Sequence, residues 1–219
     1  MQVVIGRRQE VFTPQSEQEL FRLRYQVFKE RLGWEVPVIG DQEKDYFDDC
    51  NPIYITLRNT DKQLAACARL LPSDGPTMLQ DVFPQLLHGH QMPSGPKIWE
   101  LSRFAVSKQT VGRHGFTTMP IRLIQAIVQL ADDMGLEQYL AVTSAAFEKM
   151  LVKLGVPCIR FGPPMQVGIE KTVAFAIPVN QQLRLAAFGD QTLTILDEME
   201  KRQPVKPFFE PTRPSREAA

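Results

Sequence analysis

Trp99-Glu100-Leu101-Ser102-Arg103-Phe104-Ala105-Val106 reads as a β-strand that carries three polar groups a buried strand does not carry without a reason. Successive side chains of a strand point to opposite faces, so Glu100, Ser102 and Phe104 share one side and Trp99, Leu101 and Arg103 the other. A carboxylate and a guanidinium inside a mostly apolar run need partners. One reading is an edge strand whose polar groups face water. The other is a strand that delivers them to a site, and matching charges upstream favour it: Arg24, Arg69 and the acidic run from Asp41 to Asp49.

Upstream of this strand, Pro52-Ile-Tyr-Ile-Thr-Leu57 and the run from Leu64 to Leu71 predict two strands, joined as a hairpin by Asn59-Thr-Asp-Lys62. Arg69 lies inside the second run, an expensive place for a charge. A capping box of Ser16 and Glu19 followed by Leu20, Leu23, Val27 and Phe28 predicts a helix from about 17 to 32, stopped by Gly33. Arg24 falls on or beside its apolar face, either buried or snorkelling to water. Residues 72–97 are rich in Pro and Gly and predict an irregular excursion around the island Met78–Phe83.

Downstream, Thr118 and Pro120 open a helix that is apolar nearly all round and stops at Gly135. Gln138–Val142 predicts a strand ending in Thr143 and Ser144, followed by a helix from about 145 to 154. Val173–Ile177 predicts a last central strand, residues 180–202 are helical in composition, and residues 204–219 read as a loose tail. This order predicts an α/β fold, a three-layer sandwich with a mixed central sheet and helices on both faces. No linker divides the chain, so residues 1–203 are expected to form one domain in which about the first 50 make an N-terminal lobe.

Equal numbers of basic and acidic residues, 25 each, argue against a nucleic-acid surface. Cys50, Cys67 and Cys158 have no metal-binding spacing and read as free thiols of a reducing compartment. With no apolar run of signal-peptide or membrane length, the expected location is the cytoplasm. His88-Gly-His90 and His114 lack a third ligand at metal spacing, and no metal is assigned.

Five carboxylates between Asp41 and Asp49 repel one another unless cations neutralise them. The offsets exclude an EF-hand, since the central Gly and the terminal Glu are missing. A solvated loop anchored by Tyr46 and Phe47 is the ordinary outcome. Taken together, however, Arg24, Arg69 and Arg103 stand against Asp45, Asp48 and Glu100, all on segments committed to the core. Such a cluster either fastens the N-terminal lobe to the sheet or presents carboxylates to a cationic ligand.

Arg24 with Phe28 four residues on, Trp34, Asp45 with Asp48, Arg69 and the string Glu100-Leu-Ser102-Arg103-Phe-Ala-Val resemble the signature of the acyl-homoserine-lactone synthases, over about residues 20–180. The resemblance implies a fold similar to the N-acetyltransferases. It also implies two substrates, S-adenosylmethionine and an acyl thioester on acyl carrier protein, with no resident cofactor. The amine attacks the thioester; the carboxylate then attacks the carbon beside the sulfonium, closing the lactone and expelling methylthioadenosine.

On that resemblance Glu100, directly or through a water, is the candidate base for the ammonium, with Ser102 and Arg103 beside it as catalytic residues. Arg24, Phe28, Trp34, Asp45, Asp48 and Arg69 become the S-adenosylmethionine site beneath the folded-over N-terminal lobe, the acids and rings suiting a sulfonium and the arginines a carboxylate. Thr143 resembles the hydroxyl that favours 3-oxo acyl chains, although it also suits a cap with Ser144. Phe104 and Met150, with Met78 and Leu154, would fill the acyl tunnel. Lys149, Lys153, Arg160 and Lys171 form the expected docking patch for an acidic carrier protein, or else a solvated helix face.

Two other readings compete. An acyl-CoA N-acetyltransferase would use Gln109-Thr-Val-Gly112-Arg-His114 to bind pyrophosphate, but His114 stands where a small residue belongs. A binding module without catalysis would have no need to keep Glu100, Ser102 and all three arginines.

Overall fold

A computed structural model describes residues 1–108 and 118–189. In chain order the elements are β1 (Gln2–Arg7), the single turn α1 (Arg8–Val11), α2 (Pro14–Arg24) running into a π-helical stretch over Tyr25–Arg31, β2 (Val38–Ile39), β3 (Gln42–Glu43), β4 (Ile53–Arg58), β5 (Leu64–Pro72), α3 (Met78–Asp81), β6 (Ile98–Val106), α4 (Met119–Met134), β7 (Gln138–Ser144), α5 (Ala145–Lys153), β8 (Ile159–Arg160), β9 (Met165–Val167), β10 (Glu170–Pro178) and α6 (Gln181–Phe188).

Eight strands form one sheet in the order β1-β4-β5-β6-β7-β10-β8, with β9 also paired to β10. Every pairing is antiparallel except β6 with β7, so the sheet is mixed as expected. The β4–β5 hairpin forms through residues 59–63, one residue longer than expected, and β5 is buried along most of its length. Ile55, Leu57, Ala68, Leu70, Tyr139 and Phe175 face a core with α4, α5 and α6. The opposite face is covered in two patches, by α2 with the π-helical stretch over Tyr54, Cys67 and Ala105, and by α3 with residues 84–87 over Leu140 and Ala174. β1, β8 and β9, which periodicity does not mark, all lie at the sheet margins; the tail from 204 and the segment from 190 fall outside the described residues.

The first helix differs from expectation at both ends. Thr13 is its cap, accepting from the Ser16 amide at 3.2 Å, while Ser16 Oγ accepts from the Thr13 amide at 2.9 Å and Pro14 takes the first turn. Glu19 is therefore free of capping and pairs with Arg58 at 2.5 Å. Beyond Arg24 the turn widens, with the Leu32 amide donating to the Val27 carbonyl at 3.0 Å. The wider turn carries Arg24, Val27 and Phe28 all into the interior.

Two features of β6 place the site. Its parallel pairing with β7 spans only Ile98–Leu101 against Gln138–Ala141, after which both strands continue without each other and leave a gap in the sheet. Against β5 the register slips: Arg69 faces Ser102 but Cys67 faces Ala105, so Arg103 and Phe104 together oppose Ala68. Arg103 takes the left-handed conformation with φ 53°, costly for a residue with a Cβ. This bulge corrects the simple alternation. Arg103 joins Glu100 and Ser102 on one face, and Phe104 turns to the opposite face with Trp99 and Leu101.

Candidate active site

The acidic run divides by position. Asp41 and Asp49 stay at the surface, paired with Arg22 and with Arg8 and Lys44, whereas Glu43 and Asp48 are fully buried and Asp45 nearly so. Phe47 is buried beneath them, but Tyr46, expected as a second anchor, is 67% exposed. The three inner carboxylates meet the three arginines in a closed ring of alternating charge. Arg24 joins Glu43 at 2.5 Å and Asp48 at 2.6 Å; Arg69 joins Asp48 at 2.8 Å and Asp45; Arg103 joins Asp45 at 2.6 Å and returns to Glu43 at 2.9 Å. Each guanidinium also lies over a phenylalanine: Arg24 over Phe21, Arg69 over Phe47 and Arg103 over Phe28.

The ring is neutral in sum, which is why six ionic groups tolerate burial. Burial alone would raise the Asp48 carboxyl, but Arg24, Arg69 and the Tyr54 hydroxyl, which donates at 2.6 Å, hold it far below the ordinary 3.8. Of these partners, Glu43, Tyr54 and Phe21 were not singled out in the sequence, and Phe47 was expected only as an anchor of the acidic loop. Glu43 was visible only as one of five similar acids, and nothing local distinguishes it. Arg24 does not snorkel, being completely enclosed.

Glu100 stands apart from the ring. Its two carboxylate oxygens accept the amides of Met78 at 3.0 Å and Leu79 at 2.7 Å, at the start of α3. Burial pushes its pKa above the ordinary 4.5 despite those two donors and the nearby Arg69 and Arg103. Met78 thus bridges the two groups: its sulfur lies 3.2 Å from Arg69 Nη2 and 3.3 Å from Arg103 Nη1. Ser102 Oγ accepts from Arg69 Nε at 3.1 Å.

A cavity of about 1110 Å³ passes through the gap between β6 and β7. Its polar end is walled by Asp45, Glu100, Ser102, Arg103 and the stacked pair Phe28 and Trp34, whose ring centres are 5.3 Å apart. Its other end is apolar, lined by Ile127, Val128, Phe175 and Leu183 from the core beneath α4 and α6. Phe104, Thr143 and Met150 line it, and Met78 does so near the polar end. Leu154, expected in the tunnel, is exposed and outside the lining because it caps α5 on the solvent side. Ser144, not Thr143, caps α5, its hydroxyl accepting from the Phe147 amide at 3.2 Å, which leaves Thr143 to the cavity.

Lys149 and Lys153 are exposed on α5, and exposed Lys171 precedes Thr172, which pairs with Ser144 at the start of that helix. Arg160 does not join them freely. It is committed to buried Glu148 through bonds of 2.9 and 2.7 Å, because a carboxylate buried on α5 needs a counter-charge. His88 bonds the Pro163 carbonyl at 3.0 Å, and among the described residues no cluster of three or more His, Cys, Asp or Glu is placed to hold a metal. The three thiols are free. Gln109–His114 lies outside the described residues. Among those described, no helix is long and apolar enough to cross a membrane.

The autoinducer synthase family matches residues 9–186. An acyl-homoserine-lactone synthase of Pseudomonas aeruginosa is 39% identical over 191 residues, covering 86% of this chain and 94% of the relative. The crystal structure of the AHL synthase LasI superposes with a TM-score of 0.79 at 39% identity, covering 85% of this chain and 94% of its own. TofI in a ternary complex with an inhibitor and MTA superposes with a TM-score of 0.72 at 32% identity, covering 88% and 100%. More distantly, a CoA-dependent acyl-homoserine lactone synthase, BjaI, with MTA gives 0.71 at 25% identity, covering 88% and 84%. An N-acetyltransferase structure from Lactobacillus plantarum, at 0.57 and 14% identity over 82% and 98%, shares the fold.

Proposed function

Since the chain belongs to the autoinducer synthase family, the acyltransferases named acyl-homoserine-lactone synthases, we propose that it acylates S-adenosylmethionine from an acyl thioester on acyl carrier protein, closes the lactone and releases methylthioadenosine. The observation that carries this reading is the position of Glu100: a buried carboxylate of raised pKa on the wall of a cavity that is charged and aromatic at one end and apolar at the other.

The substrate's amine is an ammonium at neutral pH and becomes a nucleophile only on losing a proton. Glu100 takes it, directly or through a water, and its raised pKa brings it closer to the amine's and makes it a stronger base than a solvated carboxylate. The oxygens are fixed by the Met78 and Leu79 amides, so the carboxylate does not swing away as it gains the proton. Sulfonium and adenosyl group lie against Phe28 and Trp34 with Asp45 near, a set that suits a cation and an aromatic ring. Arg103 and Ser102 are placed at the same end to receive the substrate's carboxylate before it attacks the carbon beside sulfur. Arg24, Asp48 and Arg69, which are walled off by the ring itself, position Arg103 and Asp45 rather than touch substrate.

The acyl chain occupies the apolar end, and Thr143 donates to a 3-oxo group, the hydroxyl being spared from capping by Ser144. The carrier protein, an acidic partner, docks on Lys149, Lys153 and Lys171, and the free thiols fit a cytoplasmic enzyme. A second reading, with free acyl-CoA as donor, is favoured by the likeness to a CoA-dependent relative.

The deciding experiment is methylthioadenosine release by the purified protein, given S-adenosylmethionine with acyl carrier protein thioesters of graded chain length, with and without a 3-oxo group, and the matching acyl-CoAs. Release that requires a carrier-bound 3-oxo thioester supports the whole reading, and Thr143→Val should then erase the 3-oxo preference. Equal rates with the acyl-CoAs would replace the carrier protein by the second reading.

A further inference from the structure

Glu170, the first residue of β10, has no part in the ring or in the chemistry assigned to Glu100. Its carboxylate lines the cavity and accepts a hydrogen bond from Trp34 Nε1 at 3.1 Å, across 136 residues of sequence. Among the described residues it makes no ion pair, unlike Asp45 in the ring. Nearby, Gly33 takes a φ of +67°, and a Cβ added there would stand 3.7 Å from Ile169 Cδ1, so the two segments run close together. Gly33–Pro37 has no secondary structure of its own; the Trp34 amide donates to the Phe28 carbonyl at 2.9 Å, Trp34 and Val36 pack on the core beneath α2, and the indole bond to Glu170 ties the segment to β10.

Trp34 is thereby held on two sides. One face stacks on Phe28, itself beneath Arg103, and the polar edge donates to Glu170. An indole N–H only donates, so a carboxylate is its natural partner, and a negative acceptor there pushes electron density onto the ring. A richer ring attracts a cation more strongly at its face.

Resting on the reading that S-adenosylmethionine is the substrate, we propose that Glu170 is a positioning residue for it, fixing and polarising the Trp34 ring through the indole N–H and acting on the sulfonium substrate through that ring.

The test uses the full chain and four variants: Glu170→Gln, which keeps an acceptor, Glu170→Val, which removes it while suiting a strand, Trp34→Phe, and Trp34→Phe combined with Glu170→Val. Glu170→Val should raise the KM for S-adenosylmethionine about tenfold, as loss of a charge-assisted hydrogen bond implies. The KM for the acyl thioester and kcat should stay within about twofold. Glu170→Gln, which keeps the acceptor without its charge, should restore part of the affinity and fall between the parent and Glu170→Val. In the Trp34→Phe background Glu170→Val should add nothing, since the partner is already gone. Acrylamide should quench the indole emission of Glu170→Val more than that of the parent, because Trp99 is buried and bonded to the Pro96 carbonyl and only Trp34 is set free. The proposal is overturned by an unchanged KM in Glu170→Val, by an equal effect in the Trp34→Phe background, or by Glu170→Gln being as damaging as Glu170→Val. If the parent chain releases no methylthioadenosine at all, the proposed function fails instead, and the quenching comparison still decides Glu170: equal quenching of parent and Glu170→Val refutes it.

Discussion

Replacing Glu43 by Gln changes one oxygen into an NH₂ group in a side chain with no solvent exposure. In the native ring Glu43 accepts from Arg24 Nε at 2.5 Å and from Arg103 Nη2 at 2.9 Å. Gln offers one acceptor oxygen and turns a donor toward the other guanidinium. It also leaves three guanidiniums facing two carboxylates in a buried site, where bulk solvent screens the excess charge poorly. Removing one partner of a buried ion pair costs roughly 3–5 kcal/mol, against about 0–1 for an exposed pair. For a chain of this size that range lowers the melting temperature by about 6–20 °C. Thermal and urea unfolding followed by circular dichroism measure it directly. A closed ring also requires partial rescue, because Glu43→Gln with Arg103→Gln removes one charge of each sign and restores neutrality. The double variant should therefore be more stable than the sum of the two single losses implies, by at least about 1 kcal/mol. A melting point within about 2 °C of the parent for Glu43→Gln, or strictly additive losses, would refute the closed ring as the reason these charges are buried.

Three further outcomes are expected. Glu100→Gln should lower kcat by about 10²–10⁴ while leaving S-adenosylmethionine binding, measured by calorimetry, nearly intact. It should also abolish the rising acid limb of the pH–rate profile, which in the parent lies above the ordinary carboxylate 4.5 because burial raises this group; unchanged turnover removes Glu100 as the base. Asp48 acts with the opposite sign on stability. Its folded carboxyl sits far below 3.8, so the unfolded chain binds the proton first, and its contribution is complete at neutral pH and drains away as the pH falls below that value. Asp48→Asn should be less stable at neutral pH with a flatter acid limb in urea titrations from about pH 7 to pH 2, and an unchanged limb would contradict the assignment. Reversing charge at Lys149 and Lys153 should raise the KM for the carrier-bound thioester about tenfold and leave that for S-adenosylmethionine alone. Parallel rises in both would show damage to the fold instead.

Local pattern carried much of this structure. The hairpin of β4 and β5, the nearly all-apolar α4 and the strand–helix junction at Thr143 and Ser144 are each fixed by periodicity, caps and glycine stops within a few residues of one another. So was the presence of a site: Glu100, Ser102, Arg103, Arg24 and Arg69 are charges and hydroxyls that apolar segments do not tolerate without partners. What pattern could not provide was pairing. Glu43 is as acidic as Asp41 two residues before it, yet one is enclosed and the other exposed, because only the packing of β3 against α2 decides which acid reaches Arg24. Arg160 looked as available as Lys149 until buried Glu148 claimed it.

The alternation rule failed from Arg103 onward for a similar reason. Side-chain pattern alone is enough to read residues 99–106 as a strand carrying the site's polar groups. Which face each one takes follows from the packed sheet, since the slip between β5 and β6 forces Arg103 into a left-handed backbone and reverses the order beyond it. The same holds for the cavity. Its lining residues are legible as apolar, but the gap through which it passes exists because β6 and β7 part after Leu101 and Ala141, and separation between strands forty residues apart is a property of the folded sheet, to which no local run of side chains gives access.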